Sequence, residues 1–420
     1  MNIKSNTFAL VVLISALFSN VTGQNKDCLA FNFRSELFTE CDIIGLGEES
    51  HGIKTINEHR NLIAFSLIQN YEVKYIAWEQ EFGSLSAVND GLNQKQPNFE
   101  QLIKHFTWFW QTEETTDLLR HIHQHNLEYP DKKIKLVGID LSSNLTTYRA
   151  CYNFFHPYIS NRSILDEYST FKPKFEKYKN LNKKDVGKLQ RISDQLMEEL
   201  FSNPIYKEKY SREAIQIIRM HINNLYQFPP YFQKNQFPRD EIMYVNLTAL
   251  RNICHESEKI VVFAHNGHIS KSDPYTNSMG MLLANHFSSK YYAMGFEFGE
   301  GNFVCTKTNA SKLRILMRGM VLKKNVSKFY ESTIGNLPFN PASSSLQYLG
   351  SQPQQFLFYD VHQLEYNSEL QNLLTTEQLY HDIGTVCPEF ENAFSKKKWS
   401  DHFDGMYFIR YVEASEKVKF

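Results

Sequence analysis

The sequence is short of most features that announce a chemistry. Its 420 residues carry 45 Lys and Arg against 46 Asp and Glu, a formal net charge of -1. With no basic excess there is no electrostatic footprint for nucleic acid, and no acidic tail points to a disordered partner segment. The six cysteines (28, 41, 151, 254, 305 and 387) form no C-x-x-C pair, so thiolate metal binding has no ligand frame. G-x-S-x-G is absent, which removes a nucleophile elbow. H-E-x-x-H is absent too, because His255-Glu256 lacks the second histidine. No internal repeat or low-complexity tract stands out. The apolar run from Phe8 to Phe18 is too short to span a bilayer as a stable helix. With Lys4 before it and Val21-Thr22-Gly23 after it, residues 1–23 have the layout of a signal peptide. Cleavage near Gly23 and export, periplasmic or secreted, are expected, with no stable membrane insertion afterwards. Export permits disulfides; Cys28 with Cys41 is the most local pairing, and spacing assigns none.

What is present begins with 42% hydrophobic and 14% aromatic residues, enough for a substantial core. Ile43 to Leu46 is a short apolar run closed by Gly47, the pattern of a buried strand. Helical spacing follows, with Ile53, Ile56, Arg60, Ile63 and Leu67 on one stripe, and Tyr75 to Trp78 is a second apolar run. A crossover of this length joins parallel strands, so both runs end on one edge of a sheet. Ile134 to Ile139 and Lys259 to Ala264 repeat the strand pattern, as do Tyr291 to Phe298, Phe356 to Val361 and Met406 to Val412. Between about Tyr148 and Glu256 charges are dense and helical spacing dominates, with breaks at Lys172-Pro173, Asn203-Pro204 and Pro229-Pro230. The expected fold is α/β: a three-layer core with a mostly parallel sheet, formed by residues 24–147 and 257–420. Residues 148–256 form a helical insertion of four or five helices, placed as a cap over the cleft. Ser343-Ser344-Ser345 reads as a loop.

Four apolar runs end in polar chemistry: Glu48 with His51, Glu79, Asp140, and His265 with His268. Open α/β sheets place ligands at the carboxyl ends of their strands, so these groups are expected in one cleft. A histidine held by a carboxylate can take a proton from water at neutral pH. His51, three residues from Glu48, is the candidate base. Glu79 would orient an imidazole or hold Arg60, whose charge on an apolar helix stripe demands a partner. His265 and His268 would polarise a carbonyl or stabilise an oxyanion. In the aromatic run Phe106-Thr107-Trp108-Phe109-Trp110 two fates are open, core packing or an apolar ligand wall. Trp108 and Trp110, with Asp140, are the candidate substrate contacts. The carboxylates at Glu48 and Glu49 argue against a dinucleotide in the Gly45-Leu46-Gly47 turn. A metal-dependent hydrolase using the same histidines and carboxylates is the rival reading.

The chain resembles the erythromycin esterase family. The likeness lies in Gly47-Glu48-Glu49-Ser50-His51-Gly52, Glu58 to Arg60, Trp78-Glu79, Thr107 to Glu114 and Gly138-Ile139-Asp140. It continues in Arg239-Asp240 with Met243 and Asn246, Ala264-His265-Asn266-Gly267-His268, Ser278-Met279-Gly280 and Phe403-Asp404. The resemblance implies an α/β core with a helical insertion around a deep cleft. It implies hydrolysis of a carboxylic ester or macrolactone by activated water, with no covalent intermediate and no required metal or cofactor. By the same resemblance His51 is the general base, Glu48 its partner, Glu79 the second glutamate, Arg60 the arginine, and His265 and His268 the paired histidines. The partner implied is a small-molecule ester or lactone. The chain is also similar, through the same superfamily, to haem-binding uptake proteins, which implies a non-enzymatic alternative in which histidines and aromatics hold a porphyrin.

Overall fold

A computed structural model describes residues 35–141, 145–176, 181–234, 239–272, 277–307, 331–364, 366 and 368–418. The leader expected over 1–23, and Cys28, lie outside the described residues. The chain divides into two units, Met1–Leu37 and Phe38–Phe420, and the second carries the sheet, its helices and the site. The strands are β1 (Ile43–Leu46), β2 (Glu72–Glu81), β3 (Lys135–Asp140), β4 (Glu258–Phe263), β5 (Tyr291–Lys307), β6 (Glu331–Leu337), β7 (Phe356–Asp360), β8 (Gln378–His381), β9 (Phe394–Lys397) and β10 (Gly405–Val412). Eight of them form one sheet in the order β3-β2-β4-β1-β5-β10-β7, with β6 paired to β5, while β8 and β9 form a separate hairpin. The pairings among β1, β2, β3, β4, β5 and β10 are all parallel, while β6 runs antiparallel to β5 and β7 antiparallel to β10. β1 and β2, successive in the chain, are separated in the sheet by β4.

Burial on both faces explains the continuous apolar runs. All four residues of β1 and the last five of β4 are buried. Successive side chains alternate between faces. Ile43, Ala77, Ile260, Val262 and Ala293 join the core that also holds Met243, Leu247 and Leu250 of α6 (Arg239–Arg251) and Leu283 of α7 (Met279–Phe287). On the opposite face lies α1 (Lys54–Asn70), whose Arg60 guanidinium sits 4.6 Å from the Phe263 ring centroid. α1 packs in turn on α2 (Glu113–Glu128), where Asn61 Nδ2 donates to Glu114 O at 2.8 Å.

Between β3 and β4 the described residues contain seven helices, running from α3 (Leu145–Phe155) through α4 (Lys183–Ser202), α5 (Arg212–Lys234) and α6. Tyr148, Phe155, Tyr168, Leu189, Leu196, Tyr206 and Ile222 form a second apolar core apart from the sheet. Among the described residues of these helices, α6 and, from α5, Met220 and Ile217 reach the sheet's own core. Two expectations from breaker residues are corrected here. α5 runs through Pro229-Pro230, because its amphipathic packing on α3 and α4 outweighs the backbone hydrogen bonds that proline removes. Ser343 does not sit in a plain loop but caps α8 (Ser344–Ser351), its hydroxyl accepting from the Leu346 N–H.

Late in the chain a disulfide joins Cys305 of β5 to Cys387, with Cα atoms 5.0 Å apart across a separation of 82 residues. Beside it Thr306 N–H donates to Thr385 O at 2.9 Å and Cys387 N–H to Thr306 O at 3.1 Å. Closing a loop of this size restricts the unfolded chain by about 4 kcal/mol. Replacing both cysteines with serine is expected to lower the unfolding free energy by about 2–5 kcal/mol. Urea denaturation measures it, and wild-type protein treated with dithiothreitol should show a matching loss.

Candidate active site

Strand register brings the site together. Leu46 pairs with Phe263 and Phe263 with Trp78, so Gly47-Glu48 and Ala264-His265 leave the sheet at the level where Glu79 sits in β2. Asp140 pairs with Glu81 on the next strand. The close approach of the turns needs glycine at 47, where a Cβ would stand 1.9 Å from Asn266 Oδ1.

Glu48 is fully buried yet surrounded by donors. His51 Nδ1–H donates to its Oε1 at 2.7 Å, the Trp110 indole N–H reaches the same oxygen at 3.3 Å, and Arg60 Nη2 lies 3.3 Å from Oε2. Burial alone would raise the carboxyl pKa, but Arg60 and His51 prevail and hold it below the ordinary range. The arginine on the apolar stripe thus finds Glu48, together with Asn57 Oδ1 at 2.8 Å, while Glu79 acts on it through its charge. The His51 ring stacks on Phe109 at 4.4 Å with planes 9° apart, and Trp110 meets it edge-on at 5.3 Å. With Nδ1 engaged by Glu48, His51 Nε2 has no partner among the described residues.

His265 lies 5.8 Å from His51, ring centroid to centroid. Its Nε2–H donates to Glu49 O at 2.8 Å and its Nδ1 accepts from Gly267 N–H at 3.1 Å. Burial, reinforced by His51, pushes its pKa down to about 4. In this arrangement neither nitrogen is left to act on a carbonyl; His265 is a neutral strut. His268 behaves in the opposite way. Its Nδ1–H donates to Asp240 Oδ1 at 2.8 Å, and Nε2 lies 3.3 Å from Glu79 Oε1 and 2.9 Å from Arg239 Nη1. Burial opposes a charged ring, but Glu79 and Asp240 outweigh it and raise the pKa to about 10. The imidazolium at neutral pH turns Nε2–H to Glu79; acceptance from Arg239 belongs to the neutral ring.

Glu79 collects three donors: Arg239 Nη2 at 2.7 Å and His268 on Oε1, and His265 N–H at 2.8 Å on Oε2. Burial again works upward, and His268 and Arg239 bring its pKa well below the ordinary carboxylate range. Asp140 accepts from Arg239 Nε at 3.1 Å and Nη2 at 2.9 Å. Arg239, at the start of α6, is therefore the hub of this half of the site and stood outside the residues chosen from sequence. The adjacent Arg239-Asp240 pair was the signal for it. Of the two tryptophans expected as a ligand wall, Trp110 is buried against Glu48 and Trp108 lies under Lys417, 4.4 Å from its Nζ. Phe109 between them presents its ring to His51.

Among the described residues no group of three or more His, Cys, Asp or Glu is arranged to hold a metal ion. The donor set explains it: Glu48, Glu79 and Asp140 are neutralised by arginines, and His265 and His268 have both nitrogens engaged. The same engagement leaves these two histidines no lone pair for a haem iron. No helix of the described residues is long and apolar enough to cross a membrane.

Because the folded pKa of His268 exceeds the unfolded value of ~6.5, its contribution to stability is complete below that value and is lost as pH rises through about 10. Unfolding free energy is expected to fall across this alkaline window, and His268→Gln to flatten the slope. Urea titrations at stepped pH check this; an unchanged slope in the variant would contradict it.

A sequence model of the erythromycin esterase family matches residues 68–412. No curated protein sequence matches significantly. Among solved structures, a succinoglycan biosynthesis protein superposes with a TM-score of 0.75 at 16% identity, covering 92% of each chain. A Bacillus cereus protein gives 0.75 at 19% identity, covering 91% of this chain and 92% of that one. A mutant of the erythromycin esterase EreC in its open conformation gives 0.65 at 14% identity, covering 93% and 95%. At these identities the superpositions establish the shared fold, a mostly parallel sheet wrapped by helices. The family match spans well over half of the sequence, and the chain belongs to the erythromycin esterase family.

Proposed function

We propose that the protein is an exported hydrolase of carboxylic esters, including cyclic ones, that uses His51 to activate water. The observation that carries this reading is the buried Glu48–His51 pair at 2.7 Å, with Nε2 of the same ring unpartnered among the described residues. Glu48, held ionised by Arg60, accepts Nδ1–H and so fixes the tautomer whose lone pair is on Nε2. A water hydrogen-bonded there loses a proton to Nε2 as its oxygen adds to the ester carbonyl, and Glu48 stabilises the imidazolium. An oxyanion is supported when His268 or Arg239 turns a donor from its carboxylates to the carbonyl oxygen, the part expected from sequence of both paired histidines. Collapse of the intermediate breaks the acyl–oxygen bond, and the imidazolium proton passes to the departing alkoxide. The products are an acid and an alcohol, joined in one molecule when the ester is a ring. Phe109, half-exposed beside His51, and Trp108 offer apolar surface to the substrate. The leader pattern of residues 1–23 and the Cys305–Cys387 disulfide support an oxidising compartment outside the cytoplasm.

Purified protein incubated with a panel of macrolides and other lactones is expected to add the mass of one water to at least one of them. His51→Ala should lower that rate by about a hundredfold to ten-thousandfold while the melting temperature stays close to wild type. Wild-type turnover by the folded variant rejects His51 as base. A Soret band on titration with haemin, with no lactone consumed, would favour the porphyrin-binding alternative.

A further inference from the structure

Next to the proposed base lies a carboxyl group that the reaction does not use. Glu49 is 1% exposed. Its Oε2 accepts Asn266 Nδ2–H at 2.5 Å and its Oε1 accepts Ile383 N–H at 3.2 Å, while its backbone oxygen receives His265 Nε2–H at 2.8 Å. Asn266 is as fully committed. Its Nδ2 also donates to Phe296 O at 2.7 Å, its Oδ1 accepts Phe296 N–H at 3.2 Å, and its own N–H donates to Glu48 O at 2.8 Å. The irregular segment around Ile383, just after β8, is tied to the same turn a second time, Ser50 Oγ–H donating to Gly384 O at 3.1 Å. It is anchored in turn to β5 by the Cys305–Cys387 bond.

Burial holds the Glu49 carboxyl well above the ordinary carboxylate range. Glu297 adds to that shift from β5, where it faces His381 Nδ1 at 2.5 Å; Lys397 and the Asn266 donor oppose it. An apolar side chain here would escape the desolvation that Glu49 suffers. What it could not do is accept two donors arriving from different elements.

We propose that Glu49 is a positioning residue: through Asn266 and Ile383 it sets the spacing between the turn bearing Glu48 and His51 and the turn bearing His265 and His268. This rests on the hydrolase reading for its kinetic consequence, but not for its structural one. A displacement of reacting groups by about 1 Å costs on the order of a hundredfold in rate. Glutamine turns an amide NH2 against one of the two donors in either orientation, whereas a carboxyl, ionised or protonated, can keep both oxygens toward them; aspartate is one methylene too short to reach both.

The test uses the full chain with histidine Cε1-labelled for NMR, as wild type, Glu49→Gln and Glu49→Asp, with His51→Ala and His265→Ala to assign the two rings. Para-nitrophenyl acetate serves as the kinetic probe. The expected result for folded Glu49→Gln is a kcat about tenfold to a hundredfold lower with little change in KM, together with shifted His51 and His265 resonances and an altered His51 titration. A folded Gln variant with wild-type kcat, or with both resonances unmoved, overturns the proposal. So does unfolding of both variants, which would make Glu49 a structural group only. If wild-type protein hydrolyses no ester, the hydrolase reading fails while the resonances still decide whether Glu49 positions the two rings.

Discussion

Glu48 has to remain an anion though closed off from bulk solvent, and the architecture around it is shaped by that requirement. Charge of this kind survives burial only with a cation and hydrogen bonds at hand. Arg60 supplies the cation from the middle of α1, at the cost of placing a guanidinium on a helix face otherwise apolar. His51 and Trp110 supply the hydrogen bonds from two further segments. The second acidic pair, Glu79 and Asp140, meets the same demand through Arg239, brought in from the first turn of α6, and through His268. The site is thus two neutralised clusters, each assembled from elements distant in sequence, facing each other across the β1–β4 pairing.

The two clusters differ in what they leave available. In the Glu48 cluster the imidazole keeps an unengaged nitrogen, because one carboxylate oxygen answers to one ring nitrogen and the backbone takes no part. In the Glu79 cluster every ring nitrogen has a partner. His265 is tied to main-chain groups on both sides and stays neutral, and His268 is pinned between two carboxylates and stays charged. Identical side chains three residues apart therefore hold opposite protonation states, and the difference traces to whether the neighbours are carbonyl and amide groups or carboxylates.

Much of this was legible in the sequence. The strands that lead into Glu48 and His265, and those that carry Glu79 and Asp140, were visible as apolar runs closed by a polar residue, because strands buried on both faces leave no alternation to confuse the pattern. Arg60 was visible as a charge breaking a helical stripe. Less legible were the facts that depend on long-range packing. Nothing local says that β4 lies between β1 and β2, or that Arg239 would reach past a whole insertion to Asp140. The aromatic run stayed open between core and ligand wall for a related reason. Composition marks an aromatic run, but only tertiary packing decides that Trp110 turns inward to Glu48 while Phe109 meets His51. Ser343 shows the local version of the problem, since a serine cluster suits a loop and a helix cap equally well until the following residues pack.

The helical insertion keeps an apolar interior of its own, joined to the rest of the molecule mainly through α5 and α6. Two interiors that share so few side chains can diverge at different speeds. Substitutions among Tyr148, Tyr168, Leu189 and Tyr206 would repack that interior without disturbing the sheet. A lineage built this way can vary one interior while the carboxylate and histidine clusters at the sheet edge stand still.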